Sequence, residues 1–315
     1  MTHHISRRRF LAVTGRAGMM AGFGAFLSQR WIKSVAAETI SPAIDLAVVK
    51  GPAAPAVERA VAMLGGIEKF VKKGDRVVLK PNMSFPNSPD MGTTTSPEVV
   101  HGVAELCRKA GAAQILVVDH TLRRSELCLA RSGIKTACEG IPKTYVMALL
   151  DQKFYREVPV TNGKVLHTVG IMKNVLDADV FINLPAAKSH SATGVSLGMK
   201  NLMGVIWDRR YFHKQVDLNQ AIADLSSAIR PSLTIMDASR VLTDGGPGGP
   251  GTVEGLQTIV AGVDPVAVDA YTVGLSKWYG KHFTADQVKH ILYANKLGVG
   301  EIDMGKLLIG KEETA

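Results

Sequence analysis

The residues best suited to chemistry lie between Lys188 and Lys214. This stretch holds Lys188, Lys200, Arg209, Arg210 and Lys214 against Asp208 alone, a net charge of +4, and adds His190 and His213. Within it, Gly194-Val195-Ser196-Leu197-Gly198-Met199-Lys200-Asn201 spaces glycines ahead of a helix start. Exposed backbone N–H groups, a helix dipole and a lysine together suit an anion. The stretch is not a Walker A loop, because the G-x-x-x-x-G-K-[ST] spacing fails, and it is not a dinucleotide fingerprint. The plain alternative is a solvated basic face. Glycines at 194, 198 and 204 speak against that, since each weakens a surface helix by about 1 kcal/mol relative to alanine.

Polar tips also follow apolar runs with regularity. Lys80-Pro81-Asn82 ends Arg76–Leu79, and Asp119-His120 ends Gln114–Val118. Asn183 sits in Asp179–Leu184, which runs on to Lys188 and His190. Asp237 ends Leu233–Met236, and Asp264 follows Thr258–Gly262. Ligands of open parallel sheets bind outside the carboxyl ends of strands, so five such tips on one edge predict a polar crevice. Taken singly, each Asp or Asn is equally suited to capping the next helix. Lys80, directly after a buried strand and before a proline, has no capping task. Asp264-Pro265 reads as an N-cap with Pro at N1. Asp269 shares a helical face with Val266 and Val273, so its carboxylate needs a partner or its pKa rises. A lysine or a helix N-terminus across the crevice would serve, and a structural ion pair and a site role stay equally open.

These tips require particular elements to position them. Strand-length apolar runs occur at Ile44–Val49, Arg76–Leu79, Gln114–Asp119, Asp179–Leu184, Leu233–Asp237, Thr258–Ala261 and Lys306–Ile309. They are rich in Val, Ile and Leu and mostly non-alternating, which suits strands buried on both faces. Helical stripes lie between them. Ser96-Pro97-Glu98 opens one, with Val99, Val100, Val103 and Cys107 on a face. Asp217 opens another, carrying Leu218, Ala221, Ile222, Leu225 and Ile229. Thr284 with Gln287 forms a capping box, and Gly298 closes that helix. Strand alternating with helix predicts an α/β fold with a largely parallel, doubly wound sheet. Thr161-Asn162-Gly163, between Phe154–Val160 and Lys164–Val169, predicts an inserted β-hairpin. Asp244–Gly251 is too rich in glycine for regular structure and reads either as a mobile lid or as a plain surface loop.

The chain has 315 residues, 46% hydrophobic and 21% charged, which excludes disordered and fibrous classes. Its net charge of +9 comes largely from one end. Residues 1–37 carry six basic side chains and no acid, leaving 31 bases against 28 acids, or +3, in the remainder. With 6% aromatics as well, the body offers no broad surface for nucleic acid. Ser6-Arg7-Arg8-Arg9-Phe10-Leu11, a weakly apolar stretch to Leu27 and Ser34-Val35-Ala36-Ala37 follow the order of a secretory signal. The arginines resemble a twin-arginine (Tat) export signal, with Ala12 in place of the usual Lys. That resemblance implies export as a folded protein to the periplasm, with cleavage near Ala37; the alternating pattern and the lack of a linker predict a single α/β domain over 38–315. No later run of 18 apolar residues predicts a membrane span after cleavage. The three cysteines, Cys107, Cys128 and Cys138, match no zinc or iron–sulfur spacing. Cys107 reads as a buried thiol, and Cys128 and Cys138 are close enough in sequence to pair.

The succession Lys80-Pro81-Asn82, Asp177–Pro185, Lys188-Ser189-His190, Met199–Gly204, His213, Gly245–Gly251 and Asp264–Ala270 resembles the family called domain of unknown function 362. The likeness runs over roughly 44–310. It implies an α/β domain in which Lys80, Asn82, Lys188, His190, Lys200, Asn201 and Asp269 occupy the family's motif positions. Many family members carry a ferredoxin-like module with four-iron clusters. This chain has no C-x-x-C-x-x-C run, so the resemblance does not carry the electron-transfer role of those members over to it.

Two function classes remain. One is an enzyme on a small anionic substrate. In it Lys80, Asn82, Lys200, Asn201, Asp119 and Asp237 bind, while Lys188, His190, His213 and Asp269 do the chemistry, an imidazole moving the proton because it titrates near neutrality. The other is a non-catalytic periplasmic protein that holds a cofactor or metal and is related to the iron–sulfur members. The sequence names no cofactor, and its histidines and aspartates have no compact metal-ligand spacing.

Overall fold

The computed structural model describes residues 44–315. The predicted signal, residues 1–37, lies outside the described residues. The chain proceeds through β1 (Leu46–Lys50), α1 (Ala53–Met63), β2 (Arg76–Pro81), α2 (Pro97–Lys109) and β3 (Gln114–Asp119). Two short helices, α3 (Ser125–Arg131) and α4 (Ile134–Ala137), precede β4 (Thr144–Ala148). Next come β5 (Tyr155–Pro159), β6 (Thr168–Met172), α5 (Lys173–Leu176) and β7 (Val180–Leu184). The segment predicted to carry the chemistry forms β8 (Ala186–His190), β9 (Gly194–Ser196), α6 (Gly198–Asn201) and α7 (Arg209–Lys214). It is followed by α8 (Leu218–Ala228), β10 (Leu233–Leu242), β11 (Val253–Glu254) and β12 (Thr258–Gly262). The last elements are α9 (Pro265–Val273), α10 (Lys289–Lys296) and β13 (Ile309–Glu313).

The main sheet has the order β13-β1-β12-β10-β7-β2-β3-β4. Along this path β12 alone runs against its neighbours, and every other pairing is parallel. This is the α/β, largely parallel, doubly wound architecture expected from the alternating pattern. Side chains of one strand alternate between faces. Val77 and Leu79 of β2 join the layer with α1 and α2, whereas Val78 joins the layer with α8, α9 and α10. Both faces are therefore buried, which is why the strand sequences read as continuous apolar runs.

Several local expectations need correction. The reversed direction of β12 carries Asp264 to the opposite edge from the other strand tips. There Asp264 accepts from Val266 and Ala267 N–H as the cap of α9, and from Glu301 N–H. The hairpin forms, with β5 and β6 as a separate two-stranded sheet, but it turns through all of 160–167. Buried Asp224 accepts from Lys164, Val165 and Leu166 N–H, and three amides held on one carboxylate replace a tight Asn-Gly turn. The last strand lies at Ile309–Glu313, not Lys306–Ile309. It is a charged edge strand, without the apolar signal of a buried one. The capping box at Thr284 and Gln287 closes only a short 3₁₀ turn, and extended backbone at Val288 separates it from α10. Ser96 makes no side-chain cap; its Oγ meets Ser239 and Arg240 instead. Cys107, Cys128 and Cys138 are all buried and free, and burial pushes the Cys107 thiol up to about 12.

Candidate functional site

A cavity of about 180 Å³ opens where β2, β8, α6 and α7 meet. It gathers Lys80, Asn82, Lys188, His190, Lys200, Asn201 and His213 from the predicted set, and adds Phe85, Met203 and Arg209. Lys80 ends β2. Lys188 and His190 come from β8, which pairs with β9 and β10. Lys200 and Asn201 come from α6, and Arg209 and His213 from α7.

Three asparagines hold the floor. Asn201 Nδ2 donates to the Lys80 carbonyl at 3.0 Å and to Asn183 Oδ1 at 2.8 Å. Asn183 Nδ2 donates to the Gly198 carbonyl at 2.9 Å. Asn201 Oδ1 accepts from Lys80 Nζ and from Asn82 Nδ2. Asn82 Oδ1 in turn accepts from Lys188 Nζ at 3.2 Å. The strand tips β2 and β7 are thus tied to α6 by amides, and these amides aim two of the lysines.

The site is rich in buried cations and poor in carboxylates. Lys80, Lys188 and Lys200 are all buried. Lys80 Nζ lies 3.1 Å from Asp119 Oδ1, and Asp119 Oδ2 accepts from Met83 N–H and the Ser84 hydroxyl. Burial still lowers the Lys80 pKa against the pull of that carboxylate. Lys188 Nζ donates to the Thr93 carbonyl and sits 4.9 Å from the centre of the Phe85 ring. Burial and the charge of Lys200 lower its pKa to about 7. Lys200 Nζ meets Met203 Sδ at 3.8 Å, and burial together with Arg209 lowers it to about 7. Gly204 makes room for the pair: a Cβ there would run into Asp119 Oδ1 and the Lys80 side chain.

The two imidazoles do not behave as expected. Their rings stack with centroids 6.4 Å apart. Burial, then the neighbouring cations, hold both below the ordinary histidine range, His190 most of all. His190 Nδ1 accepts from Ala192 N–H, so the neutral ring carries its proton on Nε2. The groups of this cavity poised near neutrality are Lys188 and Lys200.

Three predicted residues lie outside the cavity lining. Asp237 accepts from Ser96 N–H, Ser239 N–H and the Ser239 hydroxyl, tying α2 to β10. Asp119 is the partner of Lys80, behind the cavity wall. Asp269 accepts from Gly198 N–H at 2.7 Å and Met199 N–H at 2.9 Å. The helix start at α6, expected to receive a ligand anion, already holds this carboxylate. Burial raises the Asp269 pKa to about 7 against those two hydrogen bonds. Gly198 is required by the contact, since a Cβ would approach Asp269 Oδ1 to 2.7 Å. Asp244–Gly251 is held as a wall and not as a free flap. Gly246 N–H donates to Ser189 Oγ, Asn87 Nδ2 donates to the Gly248 carbonyl, and Pro247 faces the cavity.

Some residues of the site had no motif to announce them. Arg209 was visible only as one charge in a basic run, and Phe85 lies in a loop of ordinary composition. His290 of α10 is fully buried, neither ring nitrogen has a partner, and burial and Lys200 lower its pKa to about 3. Among the described residues no three His, Cys, Asp or Glu side chains converge as a metal-ligand set, and no helix is long and apolar enough to cross a membrane.

A family model described as Domain of unknown function (DUF362) matches residues 77–274. The chain belongs to this family. The DUF362 match takes in every lining residue named above. A thylakoid-associated protein of Synechocystis sp. is 31% identical over 191 residues, which are 58% of this chain and 58% of that protein. The chain thus matches little more than half the length of that curated relative. Among solved structures, the lactate racemase apoprotein of Thermoanaerobacterium thermosaccharolyticum aligns with TM-score 0.43 and 15% identity, over 70% of this chain and 54% of that one.

Proposed function

We propose that this DUF362 protein is an enzyme acting on a small anionic substrate held by Lys80, Lys188, Lys200 and Arg209. The observation that carries the reading is the charge imbalance of the cavity: four buried or half-buried cations share one carboxylate, Asp119. Burying like charges together is costly unless an opposite charge joins them. A bound oxyanion or carboxylate supplies that charge, and 180 Å³ suits a group of a few heavy atoms. Lys80 and Arg209 hold the anion, and Asn82 and Asn201 fix the lysines that face it. Lys200, with Met203 Sδ as its neighbour, moves the proton. Its ammonium, one of the charges facing the anion, gives a proton to a substrate atom beside the anionic group, a lone pair of that atom forms the new bond, and the lysine is left as an amine. A pKa near the working pH suits that task. His190, held neutral by burial, and His213 stacked beside it serve as hydrogen-bonding walls.

Titration calorimetry with inorganic phosphate and with acetate tests the binding step. Lys200→Ala is expected to weaken the bound anion by about 1–3 kcal/mol, the range for a lost charged hydrogen bond. Unchanged affinity would remove Lys200 from the site. A non-catalytic binder would keep anion affinity in wild type, with no turnover lost in Lys200→Ala.

We further propose export through the twin-arginine route, supported by Arg7-Arg8 and the small residues before Glu38. Replacing both arginines by lysine is expected to leave precursor in the cytoplasm, as read by fractionation. Normal periplasmic accumulation of that variant would overturn export by this route.

A further inference from the structure

A second cavity of about 450 Å³ adjoins the lysine cavity, and Leu122 and Arg209 line both. Its wall is aromatic. The rings of His120 and Trp207 stack at 5.7 Å with 23° between planes, and Tyr155 tilts against both. The stack is fixed from behind: Tyr155 Oη donates to the Leu149 carbonyl, His120 Nδ1 bonds the Ile206 carbonyl, and Arg209 donates to the His120 carbonyl. Arg210 lies exposed at the rim. Asp208 also lines the cleft, but one oxygen of its carboxylate accepts from the first amides of α7. Leu122 is 47% exposed, an apolar side chain standing at the mouth between the two chambers.

We propose that the substrate is an aryl or heteroaryl oxyanion, with its anionic head in the lysine cavity and its flat ring in this outer cleft. The inference rests on the anion reading above and names the class of molecule that reading leaves open. The size argument comes first. The inner chamber, at about 180 Å³, is smaller than the roughly 300–1,000 Å³ of ordinary small-molecule sites, whereas the outer one falls within that range. A head group alone fills the first; a body is needed to fill the second. The chemistry of the wall chooses that body. Guanidinium planes stack on aromatic faces, and rings pack edge or face against Trp and His. Leu122 gives apolar contact where the ring leaves the inner chamber. Arg209, shared by both chambers, reaches the oxyanion on one side and the ring on the other.

The test pairs probes that differ only in the body: inorganic phosphate with phenyl phosphate, and acetate with benzoate, each titrated into the full mature protein at pH 6.5. In the pair whose head group binds, the aryl member is expected to bind at least ten-fold tighter. It should also change the fluorescence of Trp207, while the small member should not. Leu122→Ser, at an exposed position shared by both chambers, should weaken the aryl member several-fold more than the small anion. Equal affinity of both members, with the small anion still bound, would overturn the outer cleft and spare the anion site. Failure of all four probes to bind would overturn the anion reading and this inference with it.

Discussion

The two ends of β2 carry the same kind of side chain in opposite circumstances. Arg76, at its start, is 57% exposed and pairs with Asp179 at 3.2 Å, itself 46% exposed. Lys80, four residues on, is 1% exposed and lies 3.1 Å from Asp119, which is fully buried. The separations are nearly equal, so distance cannot be what distinguishes them. Water can replace either partner at the first end, and screening makes such a pair worth little. At the second end neither charge has water to return to, and loss of one strands the other. Around Arg76 cations and carboxylates alternate, as in the nearby Arg156–Asp177 pair. Around Lys80 the cations accumulate. One end of the strand thus collects buried cations, and its other end is solvated.

Asp119→Ala breaks the buried end most severely. It removes the carboxylate beside Lys80 and the acceptor of Met83 N–H and the Ser84 hydroxyl. The expected loss is about 3–5 kcal/mol of unfolding free energy, measured by chemical denaturation. The double variant Lys80→Met, Asp119→Ala should recover part of that loss, because the stranded charge is gone. If the double variant is no more stable than Asp119→Ala, charge burial is not what Asp119 relieves.

How far these ends could be read from sequence differs for physical reasons. Lys80 stood out because a lysine after a buried strand has no local task. Lys188, Lys200 and Asn201 stood out through their spacing. The direction of β12 was not legible, since a buried strand has the same composition whichever way it runs. Asp264, already suited to an N-cap, therefore counted among the strand tips of one edge, whereas Asp237 follows a strand of the expected direction and turns instead to the amides of Ser96 and Ser239. Asp269 was seen to need a partner, and a helix start was one of two candidates. That it would occupy the very amides expected to hold a ligand depends on how α9 packs on α6, a tertiary fact. Phe85 and Leu122 reach the site from loops, where no periodicity marks a side chain.

A smaller effect sharpens the comparison through pH. Lys188 and Lys200 sit near pKa 7 in the folded protein against an ordinary 10.5. Between those values the unfolded chain binds more protons than the folded one, so stability without ligand rises with pH across that window. Below pH 7 both states are protonated and the penalty of burying the charges is complete. Over the single unit from pH 7.5 to 8.5 the two lysines should add about 2 kcal/mol, bounded by about 1.4 kcal/mol per unit for each. Anion affinity should run the other way and fall above pH 7 as the ammonium charge is lost. Denaturation at the two pH values, repeated on Lys188→Met with Lys200→Met, checks it. A wild-type difference no larger than that of the double variant would mean that these lysines do not titrate in this range.

The smallest effect belongs to the exposed end. Arg76→Ala removes the 3.2 Å contact to Asp179 and the bond from its guanidinium to the Asp177 carbonyl. Asp179 keeps its hydrogen bond from residue 76 through the backbone N–H at 2.8 Å, which the substitution leaves in place. That bond is the largest single cause that holds the Asp179 pKa below the ordinary carboxylate value. The melting temperature should therefore move by less than about 2 °C, and less still at high salt, where the side-chain pair is already screened. Arg76 and Lys80 are on one strand, so their difference cannot be ascribed to different packing of the strand itself. A large loss from Arg76→Ala would show that the outer edge is structurally as demanding as the inner one. The accumulation of cations around Lys80 would then lose its claim to be special.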